Sequence, residues 1–256
     1  MDKNRRLKEI VEILKRKSAV SIKDLRRRLD VSEMTVRRDL NVLEEDNIVE
    51  LIPGGAIFRT LDDIEEGKYN ITHEETVRTR EKVKIGQRAA SIIEPNDTVI
   101  LDVGSTVEYV AKFIPREFPV TVICSTLNIL VEIYRKKNCS PIFTGGYFHD
   151  NTLMFESPEG IRLINRTRTD KGFVSAAGIH ETLGVTCANP YEVETKQAAI
   201  GSSKTKILTA DSTKFGKTKI SYFAELDEFD VIITDSGISD EYRDIIVSLG
   251  IDLIIV

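Results

Sequence analysis

The sequence predicts an α/β chain in two parts, a small helical unit at the N-terminus and a larger unit built on a mostly parallel sheet. Three observations predict it. Residues 3–45 hold three amphipathic helical patterns, followed by two short apolar runs around Pro53-Gly54-Gly55. Beyond about residue 81, six continuous apolar runs follow, most of them separated by helical stretches, the pattern of a parallel sheet covered on both faces. Charge divides at nearly the same place. The first sixty residues carry 14 Lys/Arg against 11 Asp/Glu and the remainder 22 against 30, within a net charge of −5.

In the first part, Leu7, Ile10, Val11 and Leu14 recur at helical spacing and make a helix of about 3–17. Ser21-Ile22-Lys23-Asp24 is a capping box that opens a second, short helix with Ile22, Leu25 and Leu29 inward. Asp30-Val31 makes the turn, and Ser32 caps a third helix from Glu33 to about Glu45 with Val36, Leu40 and Leu43 as its buried stripe. Ile48–Ile52 and Ala56–Phe58 flank the Pro-Gly-Gly turn as a hairpin, or wing. Residues 60–80 are polar and aperiodic and read as a linker.

The strands of the second part are expected at 98–101, 120–124, 141–143, 172–176, 206–209 and 231–233, with a last one near 253–256. Helices are expected at 83–93, 127–137, 191–203 and 239–249. The domains are therefore read as 1–59, a linker over 60–80, and 81–256. No repeat is present. No apolar run approaches the about 18 residues that cross a bilayer, and MDKNRRLKEI has no signal-peptide core. Cys124, Cys139 and Cys187 are odd in number and far apart, which predicts no disulfide framework or metal pair and a reducing, cytoplasmic setting.

Two helices joined by a tight turn place the second in the major groove of DNA. With Val36, Leu40 and Leu43 facing inward, Met34, Arg38 and Asn41 point outward, flanked by Thr35 and Arg37. Arginine pairs bidentately with guanine, asparagine with adenine, and threonine with a phosphate or a thymine methyl. The amides at Ser32 and Glu33 suit a phosphate. Ser21, at the start of the preceding helix, completes the DNA-facing set.

Ser32-Glu33-Met34-Thr35-Val36-Arg37-Arg38-Asp39-Leu40 and the helix before it resemble the helix-turn-helix signature of the DeoR family of regulators. Gly54-Gly55-Ala56 resembles that family's wing turn. Glu50-Leu51-Ile52-Pro53 departs from the basic residues and His usual there, leaving Arg59 as the nearest basic side chain.

In the larger part, nearly every strand ends in small or polar residues. These are Asp102-Val103-Gly104-Ser105-Thr106, Ser125-Thr126-Leu127-Asn128, Thr144-Gly145-Gly146, Ala177-Gly178, Asp211-Ser212-Thr213-Lys214 and Asp235-Ser236. Open α/β sheets bind ligands outside the carboxyl ends of their strands. Gly104-Ser105-Thr106 also opens a helix and offers amides and hydroxyls to an anion. The region resembles the DeoR sensor domain, related in fold to sugar-phosphate isomerases and coenzyme A transferases, and that resemblance implies a phosphorylated sugar as ligand. By it, Gly104, Ser105 and Thr106 hold the phosphate and Lys171 or Lys196 neutralises it. Asp102, Glu192 or Asp211 accepts sugar hydroxyls. Ser125, Asn128, Gly145, Gly146 and Lys214 complete the candidate set.

The expectation is a non-catalytic regulator of a sugar-metabolism operon, most often a repressor. Its partners are double-stranded operator DNA and a phosphorylated sugar; it uses no cofactor, metal or membrane, and it assembles as a homo-oligomer that reads paired half-sites. His73, His149 and His180 are scattered, and no GxxxxGK loop or paired-cysteine site is present. The alternatives are a sugar-phosphate isomerase or transferase with a regulatory head, and a protein-interaction module. Glu192 and Lys196 are four apart on a helix, the spacing of an ordinary ion pair.

Overall fold

A computed structural model describes residues 2–45, 48–58 and 70–256. Arg59 and residues 60–69 of the expected linker lie outside the described residues, as does the side chain of His73.

The N-terminal unit runs α1 (Lys3–Lys17), β1 (Ala19–Ser21), α2 (Ile22–Leu29), α3 (Glu33–Glu45), β2 (Val49–Ile52) and β3 (Gly55–Phe58). All three helices stand where the periodicity placed them. The Ser21 hydroxyl accepts from the Asp24 amide at the start of α2, and the Ser32 hydroxyl accepts from the Thr35 amide at the start of α3. Asp30, at φ 51°, makes the left-handed turn between them. Ile10, Leu14, Leu25, Leu29, Val36, Leu40 and Leu43 form the core. The wing gains a strand that the sequence did not announce: Ala19–Ser21 pairs antiparallel with β3, giving a sheet in the order β1-β3-β2. Gly55 permits it, since a Cβ there would stand 2.4 Å from the Val20 carbonyl oxygen. One charged pair is built into this core. Asp39 of α3 is 1% exposed and takes a two-pronged contact from the Arg6 guanidinium of α1.

After α4 (Ile71–Thr76) and α5 (Thr79–Ala90) come β4 (Thr98–Leu101), α6 (Ser105–Phe113), β5 (Val120–Cys124), α7 (Leu127–Tyr134) and β6 (Cys139–Phe143). A hairpin of β7 (Tyr147–His149) and β8 (Met154–Glu156) leads through α8 (Pro158–Arg166) to β9 (Thr169–Ser175). Then follow β10 (Gly178–His180), β11 (Gly184–Cys187), α9 (Val193–Ser202), β12 (Ser203–Thr209), β13 (Ser221–Ala224), β14 (Val231–Thr234), α10 (Asp240–Ser248) and β15 (Asp252–Ile255).

Seven of these strands form one sheet in the order β15-β14-β12-β9-β4-β5-β6, parallel at every pairing. Successive residues feed opposite faces. Phe173, Ile207 and Ile233 pack under α5, α6 and α7, while Val174, Leu208 and Ile232 pack against β10, β11, β13 and α10. All seven strands coincide with expected runs. The antiparallel sheet β10-β11-β13 and the β7–β8 hairpin do not. Helix α4 falls inside the stretch read as linker.

Chain order along the sheet reverses at β4. From it β5 and β6 follow on one side, and β9, β12, β14 and β15 lie on the other. The gap between the carboxyl ends of β4 and β9 is thus the topological switch point, where diverging loops leave a crevice.

Candidate functional site

A small cleft opens at that crevice. Its floor is Gly104, Ser105 and Thr106 after β4 and Ser175, Ala176 and Ala177 after β9; Cys187, Ala188, Glu192 and Lys196 form one side, and Glu74, Lys82 and Lys214 another. Gly104, at φ 148°, brings the start of α6 so close to β9 that a Cβ would meet the Ser175 hydroxyl at 2.4 Å. The first amides of α6 therefore border the cleft, a favourable place for an anion.

Lys196, 1% exposed, donates to Asp102 Oδ2 at 2.5 Å and to the Ser175 carbonyl at 3.1 Å, with Glu192 Oε2 3.8 Å away. Burial alone would pull this ammonium down, but the Asp102 and Glu192 carboxylates outweigh it and hold Lys196 above the usual lysine value. Burial likewise pushes the Glu192 carboxyl up, against the opposing effects of Lys196 and Asn189. Asp102 Oδ2 also accepts from the Ser175 amide, and its other oxygen, Oδ1, is buried with no hydrogen-bond partner among the described residues. That oxygen is an acceptor in want of a donor such as a ligand hydroxyl. Burial pushes the Cys187 thiol up to about 12, so it is a neutral wall of the cleft.

Of the sequence candidates, Gly104, Ser105, Thr106, Glu192, Lys196 and Lys214 come together on the cleft, with Asp102 bonded beneath it. Lys171 does not. It lies at the amino end of β9, four residues and roughly 13 Å along the strand from Ser175, bonded to Asp97 at 2.6 Å and Glu94 at 3.2 Å. Ser125, Asn128, Gly145 and Gly146 follow β5 and β6 at the carboxyl end of the sheet but do not line the cleft. Asn128 donates to Glu108, the Ser125 carbonyl accepts from the Phe155 amide, and Gly146 lies against the Glu156 carbonyl. Asp211 is buried and accepts from the Thr213 amide and hydroxyl in its own loop. Two charged residues of the cleft were missed, Glu74 and Lys82, and so was Ser175, which bonds both Asp102 and Lys196. Lys82 had a signal: with Ile85, Gly86 and Ala89 it forms the buried stripe of α5, so a lysine occupies a core position at helical spacing.

On the N-terminal unit, Met34 is 70% exposed, and Arg38 and Asn41 are exposed on the same outer face of α3. Ser32 and Thr35 bond each other at the helix start, and Arg37 pairs with Glu33 at 2.8 Å. Ser21 stands apart. It is 3% exposed and its hydroxyl is spent on Asp24, which makes it a capping residue of the turn rather than a surface contact.

The two units meet through the β10–β11 hairpin. Thr182 at its tip donates to Asp24 Oδ2 at 3.3 Å, and the Leu183 side chain lies against the wing glycine Gly55. His180, 3% exposed, accepts at Nδ1 from the Thr182 amide and lies beside Ala19 of β1. The base of the same hairpin, Ala176 and Ala177 on one arm and Cys187 and Ala188 on the other, lines the cleft. Burial lowers the His180 pKa from its ordinary 6.5, opposed by Glu181 and Asp24 and reinforced by Lys17. A base with a depressed pKa binds fewer protons in the folded, docked state, so stability is lost as pH falls through about 6.5. The contact is therefore expected to loosen between pH 7.5 and 5.5, seen as faster amide exchange at Ala19–Ser21. His180→Gln, which keeps a donor and an acceptor, should flatten that dependence; an unchanged pH profile in the variant would show that another group titrates.

Among the described residues no helix is long and apolar enough to cross a membrane.

Residues 6–61 match the DeoR-like helix-turn-helix domain, and residues 77–236 match the DeoR C-terminal sensor domain. The chain is 31% identical over 237 residues to the deoxyribose operon repressor of Escherichia coli strain K12, covering 93% of this chain and 92% of that one. It is 32% identical over 239 residues to the lactose phosphotransferase system repressor of Staphylococcus epidermidis, covering 93% and 94%. Ribose 5-phosphate isomerase from Plasmodium falciparum superposes on 52% of the chain at 16% identity, with a TM-score of 0.38. The relatives are named as transcriptional repressors and regulators, not enzymes. With both parts matched in order over nearly its full length, the chain belongs to the DeoR family.

Proposed function

We propose that this chain is a transcriptional repressor of a sugar-metabolism operon, and that a phosphorylated sugar in the switch-point cleft weakens its hold on operator DNA. The β10–β11 hairpin carries the reading, because one short element forms both a wall of the cleft and the contact with the DNA-binding unit. A ligand shifts DNA affinity only through a difference between two arrangements of the heads. A hairpin gripped at its base by ligand and at its tip by Asp24 and the wing at Gly55 supplies such a difference. In the cleft, the α6 amides and the lysines receive the phosphate and Asp102 Oδ1 a hydroxyl. On DNA, Arg38 and Asn41 read base edges while the start of α3 meets a phosphate. One head touches few base pairs, so two copies are expected on paired half-sites.

The test is fluorescence anisotropy with duplexes from upstream of the protein's own gene cluster, against a nonspecific duplex, with a panel of sugar phosphates. Selective binding that falls steeply with salt and is relieved by one sugar phosphate is expected. Arg38→Ala should weaken the cognate duplex by about 1–3 kcal/mol and relax discrimination at one base pair. Equal weakening on every duplex would make Arg38 a phosphate contact. Turnover of a sugar phosphate, lost on replacing Asp102, would overturn the repressor reading in favour of an enzyme.

A further inference from the structure

Lys82 is a lysine in the wrong place for a structural residue. Its side chain is 1% exposed, and the ammonium donates to the Glu74 carbonyl at 2.6 Å, with Glu74 Oε2 3.6 Å away. The same carboxylate oxygen accepts from Lys214 at 3.0 Å. Two lysines from distant parts of the chain, one on α5 and one after β12, thus converge on one oxygen inside the cleft that also holds the start of α6. The carboxylate between them belongs to α4, a helix of six residues. Burial pulls the Lys82 ammonium below its ordinary value, and Lys214 adds to that while Glu74 opposes it. The pair therefore needs a negative charge, and Glu74 is placed to supply it.

We propose that Lys82 and Lys214 form the anion subsite of the cleft and that Glu74 occupies it in the ligand-free chain as an internal stand-in for a phosphate. This deepens the proposed function and rests on the reading of the cleft as a phosphorylated-effector site. A phosphate monoester carries about −1.5 to −2 at neutral pH and three acceptor oxygens. It satisfies two ammonium groups and the α6 amides together, where a single carboxylate oxygen between the lysines cannot reach as many donors. Its arrival displaces Glu74 and with it α4, which lies on the stretch of chain joining the DNA-binding unit to the sensor. Further contacts hold that stretch in place, among them the Ile71 amide on the Asn151 carbonyl at 2.8 Å and the Arg78 guanidinium on the Ser212 hydroxyl at 3.3 Å and beside Asp235 at 3.8 Å. The effector and the linker helix then compete for one place, and the linker reports the outcome to the head.

Calorimetric titration of the full chain with inorganic phosphate, at fixed ionic strength, tests this. Glu74→Gln keeps the shape and removes the charge, and is expected to bind phosphate about tenfold more tightly than the natural chain, as for a site freed from a competitor that fills it nine-tenths of the time. Lys214→Met should lose most of that binding in either background. Amide exchange over residues 71–76 should speed up when phosphate is added to the natural chain. Equal affinity of Glu74→Gln and the natural chain overturns the competition while leaving the effector site standing, provided Lys214→Met still weakens binding. Slower exchange over 71–76 with phosphate overturns it as well, since α4 would then be closing over the anion. If neither phosphate nor any sugar phosphate binds any variant, this inference and the effector reading fall together.

Discussion

Lys196→Met is expected to lower the stability of the sensor domain by about 3–5 kcal/mol, the usual consequence of stranding a buried charge. Asp102 and Glu192 are 2% and 4% exposed, so the carboxylates left behind have no route to water without local opening. Asp102 would keep only the Ser175 amide for its Oδ2. For a unit of this size the loss amounts to a fall in melting temperature of roughly 10 °C. Adding Asp102→Asn should restore part of it, because the second substitution removes the charge that the first exposed, and the two effects should fail to add. Effector response should vanish in both variants, since Asp102 and Lys196 set the positions of Ser175 and the cleft floor. A melting temperature within 1 °C of the natural chain would show that the pair is not a structural couple, and the account of the cleft would need another support.

That pair also shows how far local pattern reaches. That Asp102 ends an apolar run was legible in the sequence, as was the helical spacing of Glu192 and Lys196, while their assignment to a ligand site came from the family resemblance. The contact between Asp102 and Lys196 was not legible, since 94 residues separate them. Lys171 lies away from the cleft for a reason visible in the sequence itself: it stands just ahead of the run Gly172–Ala176, hence at the amino end of its strand, while open α/β sheets bind ligands at the carboxyl ends. The long parallel strands were legible because both faces are buried and the run is continuous. β10 and β13 were not. Gly178-Ile179-His180 is three residues with one apolar side chain, and Ser221–Ala224 pairs with β11 across an intervening stretch that holds α9 and β12. Glu74 lay in a polar stretch without period, and nothing local distinguishes a carboxylate that fills a cleft from one that faces water.

Asp39→Ala should lower the stability of the DNA-binding unit by about 3 kcal/mol, at the lower end for a broken buried pair because Arg6 keeps a path to solvent. The unit spans fewer than sixty residues and rests on one small core, so a loss of that size removes much of its margin. Asp39 sits on the inner face of the same helix that presents Arg38 outward, and its contact with Arg6 fixes how α3 lies against α1. Loosening it lets the recognition helix shift in the groove, so operator binding should fall by more than the fraction unfolded accounts for. The sensor domain should melt at its natural temperature, giving two separated transitions by circular dichroism where the natural chain shows closer ones. Replacing both partners, Arg6→Met with Asp39→Leu, should return the stability, because a packed apolar pair of similar volume does at least as well as a buried ion pair. Stability returned without operator binding would mean that the charged pair sets the orientation of α3 as well as its packing. Single Asp39→Ala behaving as the natural chain in both assays would show that the apolar core alone places the helix.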